Sequence, residues 1–320
     1  VKLNNYFKLD RKPAKGLFAI EYVVMAYLVL TTLFIFFTYV KLPNPESMLW
    51  MRFRALAITV ALWAVYRMLP CPLTRFFRIA AQMLMLSFWY PDTYELNRIL
   101  PNLDHIAASA EQSLFGCQPA LLFSQHFPSA FFGELMCFGY SAYYPMIGLV
   151  TLFYFFFRYA DFMRASFVIL ASFFAYYVIF IFLPVVGPQY YYPAVGLDQV
   201  AAGTFPNLHD YFLTLRSSLD TPGSPDGFFH QMVAGAHQAG ERPTAAFPSS
   251  HVGISSILMF LAWQTRNRWI FWCLVPVYVL LCLSTVYIYA HYAIDVLAGF
   301  ISAAIFFLLL HFGYKKFVKE

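Results

Sequence analysis

Charge is what this chain has least of. Asp, Glu, Lys and Arg supply only 12% of its 320 residues, while 61% are hydrophobic; a soluble domain carries about 25% charged residues. A free-standing soluble fold is therefore excluded. Cysteine is sparse as well: Cys71, Cys117, Cys137, Cys273 and Cys282 form no CxxC pair and no dense cluster with histidine. A disulfide framework and a structural zinc site are both disfavoured. No internal repeat at a period of about 20 to 50 residues appears, and no low-complexity linker, so one membrane domain is expected. The net charge of +5 comes without a basic stripe interleaved with stacking aromatics, which removes nucleic acid as a partner.

What is present is a series of long apolar runs. A helix needs about 20 residues to cross a hydrocarbon core about 30 Å thick. Eight runs are candidates: 16–40, 49–70, 75–90, 130–157, 165–186, 249–264, 269–289 and 291–312. The third and sixth are short. The first is as long as a full span and lacks a cleavage site after a short apolar core, so a membrane helix is expected there, not a cleaved leader. The fold class is all-α, a polytopic membrane helix bundle of about eight transmembrane helices. Residues 1–74 would form a basic tail with two accessory helices, and 75–320 a six-helix catalytic core.

Basic residues orient the bundle, because Lys and Arg favour short cytoplasmic connections. With both termini inside, only Lys41, Arg52, Arg54, Arg98, Arg216 and Arg242 of the 21 basic residues fall outside. Two outer loops are then long, 91–129 and 187–248. "LNRILPNLDHIAASAEQSLF" in the first mixes apolar and polar positions at near-helical spacing, as short interfacial helices do. The second is broken by "GPQYYYPAVG", "TPGSPDG" and "ERPTAAFPSSH", whose Pro and Gly mark turns.

Two segments carry chemistry. In "STVYIYAHYAID", His291 and Asp295 are four residues apart, which on a helix puts them on one face. The carboxylate can accept one imidazole N–H and leave the other nitrogen basic. In a soluble helix this pair is more often a satisfied helix-end histidine, but an ionisable residue in a membrane span is costly and points to function. In "AFPSSHVGISS", Pro248 and Ser249 open a helix with His251 in its first turn, where backbone N–H groups favour an anion. Alone, that pattern describes an ordinary capped helix start. The topology puts both histidines at the outer membrane face, where two imidazoles can share one phosphate. One would attack phosphorus, the other would protonate the leaving oxygen, and hydroxyls and N–H groups would stabilise the developing charge.

"FPSSHVG" and "STVYIYAHYAIDVLAG" resemble the second and third signatures of the type 2 phosphatidic acid phosphatase and haloperoxidase superfamily, PSGH and SRxxxxxHxxxD. They are most similar to the branch that contains inositol phosphorylceramide synthase, which has Ser-Thr in place of Ser-Arg. The resemblance extends over roughly residues 75–312. It implies that His291 is the nucleophile, Asp295 its orienter and His251 the general acid, with Ser249 and Ser250 lining the phosphate site. It implies no metal and no cofactor, and membrane lipids as the substrates.

Two departures from the pattern shape the expected reaction. Thr285 stands where the third signature has arginine, and "GPQYYYP" puts Gln189 and Tyr190 where the first signature, KxxxxxxRP, has its basic pair. A phosphomonoester dianion calls for those arginines, whereas a diester carries a single charge. The reading therefore leans to head-group transfer between lipids through a phosphohistidine, with Arg242, or Arg52 or Arg54, as a replacement cation. Two alternatives stand beside it: a phosphatase acting on phosphatidate or polyprenyl diphosphate, and a transporter or scaffold in which His291 and Asp295 relay protons. Glu21 and Glu134 are expected to pair within the bundle, and His209, His230 and His237 to be loop histidines. The 37 Phe and 23 Tyr are expected to be lipid-facing packing and interfacial belt.

Overall fold

The computed structural model describes residues 6–214, 217–240 and 242–317, and these contain helices and turns but no strand. In chain order the α-helices are α1 (Ala19–Thr38), α2 (Pro45–Met68), α3 (Pro72–Asn97), α4 (Asp104–Phe115), α5 (Pro119–His126), α6 (Ala130–Ser141) and α7 (Tyr143–Phe157). There follow α8 (Tyr159–Phe182), α9 (Pro188–Val195), α10 (Leu197–Ala201), α11 (Phe228–Gly240), α12 (Ser250–Gln264), α13 (Arg268–Tyr287) and α14 (Ala293–Phe317). Proline at the first position opens α2, α3, α5 and α9, where its missing N–H costs nothing. Side chains of Ser129, Ser249 and Asn267 cap α6, α12 and α13.

The bundle is built around α8. Its sequence is apolar on every side, as a helix enclosed by neighbours requires, and it packs against α1, α3, α7, α12 and α14. α12 lies between α13 and α14, and α6 packs along α13 with α11 laid over it. The polytopic helical bundle expected from the apolar runs is present, with a smaller set of clear spans. Five helices are long and apolar enough to cross a membrane: α1 with the turn after it, α2, α8, α13 and α14. A sixth span is α6 with α7, bent by 41°.

The other two expected spans are helices that fall short for different reasons. α3 has 26 residues but carries Arg75, Arg78, Asp92 and Glu95. α12 has only 15 residues, a length of about 22 Å. The first outer loop holds α4 and α5 after the last turns of α3; the second holds α9, α10 and α11, and its described residues between α10 and α11 form turns, bends and a single 3-10 turn at Tyr211–Leu213. Arg75, Arg158, Arg164, Arg266 and Arg268 gather at one end of the bundle, where Arg158 reaches the Thr265 carbonyl at 3.3 Å and Phe76 packs on Phe155. The starts of α12 and α14 are at the opposite end.

Candidate active site

"STVYIYAHYAID" does not continue as one helix. α13 ends at Tyr287, and the chain turns through Tyr289, whose φ is +67°. α14 begins only at Ala293, so His291 sits in the turn, its N–H bonded to the Thr285 carbonyl at 3.0 Å. Asp295 is the third residue of α14 and turns Oδ2 back to the N–H of Tyr292, 2.9 Å away, in the manner of a capping box. The expected imidazole-to-carboxylate hydrogen bond is therefore replaced. Nδ1 of His291 is 3.6 Å from Asp295 but 2.7 Å from the carbonyl oxygen of Ala246, which accepts its hydrogen bond. A carbonyl can only accept, so Nδ1 carries the hydrogen and Nε2 keeps its lone pair in the neutral ring.

The second histidine is brought in by contacts between α12 and α14. Ser249 caps α12 by accepting the N–H of Val252 at 3.3 Å, and its own N–H donates to the Asp295 carbonyl at 3.0 Å. The approach is close enough to require Gly299: a Cβ there would stand 2.5 Å from the Ser249 carbonyl oxygen. His251, second in α12, thus presents Nδ1 to Nε2 of His291 across 3.4 Å. The rings of Tyr140 and Tyr143 flank its imidazole, with centroids at 4.7 and 4.4 Å.

The two imidazoles line a narrow, partly open cleft together with Gln189, Tyr190, Arg242, Ser250, Tyr90 and Tyr140. Of the expected phosphate-site residues, Ser249 is not in this lining: it is fully buried and spent on the helix cap. Gly187 lets the start of α9 into the cleft wall, since its φ is +89° and a Cβ would stand 2.8 Å from the Ala290 carbonyl oxygen. Ala245, at φ +68°, shapes the loop segment that offers the Ala246 carbonyl; non-glycine residues in that conformation gather at functional sites.

The cations sort clearly. Among the described residues Arg242 is the one lysine or arginine in the cleft lining, and no carboxylate among them pairs with it. Arg52 is instead buried in a two-bond contact with Asp92, at 2.6 and 3.1 Å, and Arg54 is exposed. Thr285 is buried with its hydroxyl on the Cys282 carbonyl at 2.9 Å, so it does not enter the cleft.

Behind the cleft stands α4, whose part the sequence reading missed. Asp104 and Glu111 lie on one face of it, seven residues apart, with Ala107 and Ala108 between them. Asp104 accepts the N–H groups of Val186 and Gly187 at 2.6 and 2.9 Å and the Tyr292 hydroxyl at 3.0 Å. Glu111 accepts the N–H of Ile294 at 3.0 Å. One helix thus pins both the start of α9 and the start of α14. Burial pushes both carboxyls up, against the pull of those N–H groups; Glu111 reaches about 8. Asp-x-x-Ala-Ala-x-x-Glu in a stretch of near-helical spacing was the available signal.

Glu21, Glu134 and His230 have structural partners, and His230 is buried in α11, not the expected loop histidine. Glu21 pairs with Arg78, and Glu134 accepts the N–H groups of Phe229 and His230 at the start of α11. The His230 ring meets the Thr221 carbonyl at 2.9 Å, and His209 is exposed beside a second cleft. The side chain of His237 and residue Arg216 lie outside the described residues.

Two imidazoles and Arg242 line a cleft at one end of an apolar bundle, and the fold is that of a polytopic helical membrane protein. Residues 105–309, from α4 into α14, match the profile of the PAP2 superfamily, and the chain belongs to that superfamily. Membership supports an enzyme with a lipid phosphatase-like function. No curated protein sequence and no solved structure matches the chain.

Proposed function

We propose that the protein is a lipid phosphotransferase of the inositol phosphorylceramide synthase type, which moves a phosphoryl-linked head group from a glycerophospholipid to a lipid alcohol. The observation that carries this reading is the 3.4 Å approach of His291 Nε2 to His251 Nδ1, with Nδ1 of His291 committed to a carbonyl. Nε2 attacks phosphorus, the bond to the diacylglycerol oxygen breaks, and His251 gives that oxygen a proton. The head group stays on the phosphoryl group, now bound to His291. In the second half His251 takes the proton of the acceptor alcohol, whose oxygen displaces His291. The N–H groups opening α12 and the Arg242 guanidinium stabilise the charge on the phosphoryl oxygens. Asp295, close to Nδ1 but bonded to the Tyr292 N–H, supports the turn that carries the nucleophile.

Among the described residues a single arginine, Arg242, lines the cleft, which favours a diester, with one negative charge, over a monoester dianion. The second reading is a phosphatase in which water replaces the alcohol, and superfamily membership favours it. In both readings the cleft faces the outer side of the membrane and the termini the cytoplasm, as the basic residues gathered at the opposite end support.

Purified protein in detergent, given a panel of labelled phospholipids and EDTA, should transfer label to added ceramide or diacylglycerol. Release of free phosphate alone, with no dependence on acceptor, would establish the phosphatase instead. Full activity in His291→Ala would eliminate both.

A further inference from the structure

Three buried carboxylates meet behind the cleft, and no lysine or arginine among the described residues pairs with any of them: Asp104, Glu111 and Asp295. Backbone N–H groups satisfy most of their oxygens, as described above. Two oxygens are left over. Oε1 of Glu111 and Oδ1 of Asp295 are buried, and neither has a hydrogen-bond partner among the described residues. Both residues are fully enclosed and both grip the first turn of α14, Glu111 through Ile294 and Asp295 through Tyr292. Two enclosed acceptors facing the same turn are a costly arrangement that one proton resolves.

We propose that Glu111 is a positioning residue that keeps its proton and donates it from Oε1 to Oδ1 of Asp295, locking the start of α14 so that His291 stays in register with His251. Two like charges that grip the same enclosed turn repel each other, and a proton on one of them relieves the repulsion. Burial raises the Glu111 carboxyl, the Ile294 N–H lowers it, and the charge of Asp295 raises it again. Around it stand Asp104 on its own helix, Asp295, Tyr292 and His291 at the start of α14, and Tyr192 from α9, whose hydroxyl is spent on Gln118 at 2.8 Å. None of these supplies a positive countercharge when the His291 ring is neutral. Glu111 touches no substrate in this scheme. It acts through Asp295 and the turn, so the inference rests on His291 being the nucleophile.

The test compares Glu111→Gln with Glu111→Ala across pH, reading kcat and KM for a labelled lipid. The wild-type enzyme should lose kcat as pH rises through about 8, when Glu111 ionises against Asp295. Glutamine keeps one acceptor for Ile294 and offers a permanent N–H to Asp295, so Glu111→Gln should retain kcat above that pH. Glu111→Ala should lose roughly 100-fold in kcat at every pH with little change in KM, as a small misplacement of a reacting group does. An alkaline limb unchanged in Glu111→Gln, or none in the wild type, would overturn the proposal; so would a Glu111→Gln enzyme as impaired as Glu111→Ala.

Thermal unfolding gives a readout independent of activity, and it decides the matter if the alanine variant does not fold. A folded-state carboxyl raised from 4.5 to about 8 binds more protons than the unfolded chain between those values. The wild type should therefore lose stability as pH rises through that window, relative to Glu111→Gln, and level off above it. No difference between the two curves would count against the protonated carboxyl. A difference in unfolding alongside a fully active His291→Ala would instead leave the proton in place and remove the nucleophile reading.

Discussion

In the first three helices every buried cation meets a carboxylate, while around the cleft the two kinds of charge are kept apart. Arg78 lies on Glu21 between α3 and α1, and Arg52 lies on Asp92 between α2 and α3; both pairs are almost wholly enclosed. At the cleft, Asp104, Glu111 and Asp295 rest on backbone N–H groups, and Arg242 and the two imidazoles line open space. The same apolar surroundings thus hold charge in two ways. A paired charge fixes helix against helix and has nothing left to offer a ligand. A cation that no carboxylate among the described residues pairs with keeps its charge available to an anion.

Substitutions at the two regions should separate stability from activity. The largest effect is expected from His291→Ala, which should cut turnover by about 10⁴-fold or more while leaving thermal unfolding close to that of the wild type. Turnover assays on lipid substrate read this directly. Next comes Glu21→Ala, which leaves Arg78 buried without its partner and should cost about 3–5 kcal/mol of stability; thermal unfolding in detergent measures it, and the enzyme that remains folded should turn over normally. Arg242→Gln should weaken kcat/KM by about 10- to 100-fold, the worth of a charge-assisted hydrogen bond to an anion, without moving the unfolding temperature. Smallest is Arg158→Ala, which breaks a half-exposed pair with Asp161 at 3.5 Å and should change stability by less than about 1 kcal/mol. If Arg242→Gln unfolded the protein, or Glu21→Ala abolished turnover in the folded fraction, the division between the two regions would fail.

The helices are legible because their apolar runs are long, and "FPSSH" and "AHYAID" single out the two histidines that line the cleft. What failed was local. The apolar pattern runs unbroken through "TVYIYAHYAID" and hides the turn at Tyr289, whose left-handed backbone takes His291 off the helix. With the turn comes the acceptor of its Nδ1 proton, the carbonyl of Ala246, which has no signature because any residue carries a carbonyl. Asp104 and Glu111 were passed over for a related reason. Their partners are N–H groups about 80 to 180 residues away in sequence, contacts that no spacing rule reaches. Gln189, Tyr190 and Arg242 do reach the cleft: the first two follow the glycine that opens its wall, and Arg242 precedes the helix start that carries His251. Ser249 was read from the same motif, but its hydroxyl is used in capping the helix.

One measurement bears most directly on the central claim, that His291 takes the phosphoryl group onto Nε2. A phospholipid labelled at phosphorus is mixed with the enzyme in EDTA without an acceptor alcohol, quenched in alkali, and the protein-bound label is counted. The account predicts an alkali-stable, acid-labile label on the segment containing His291, lost in His291→Ala and discharged by added ceramide. No protein-bound label in an enzyme that turns over, or label that survives His291→Ala, would contradict it.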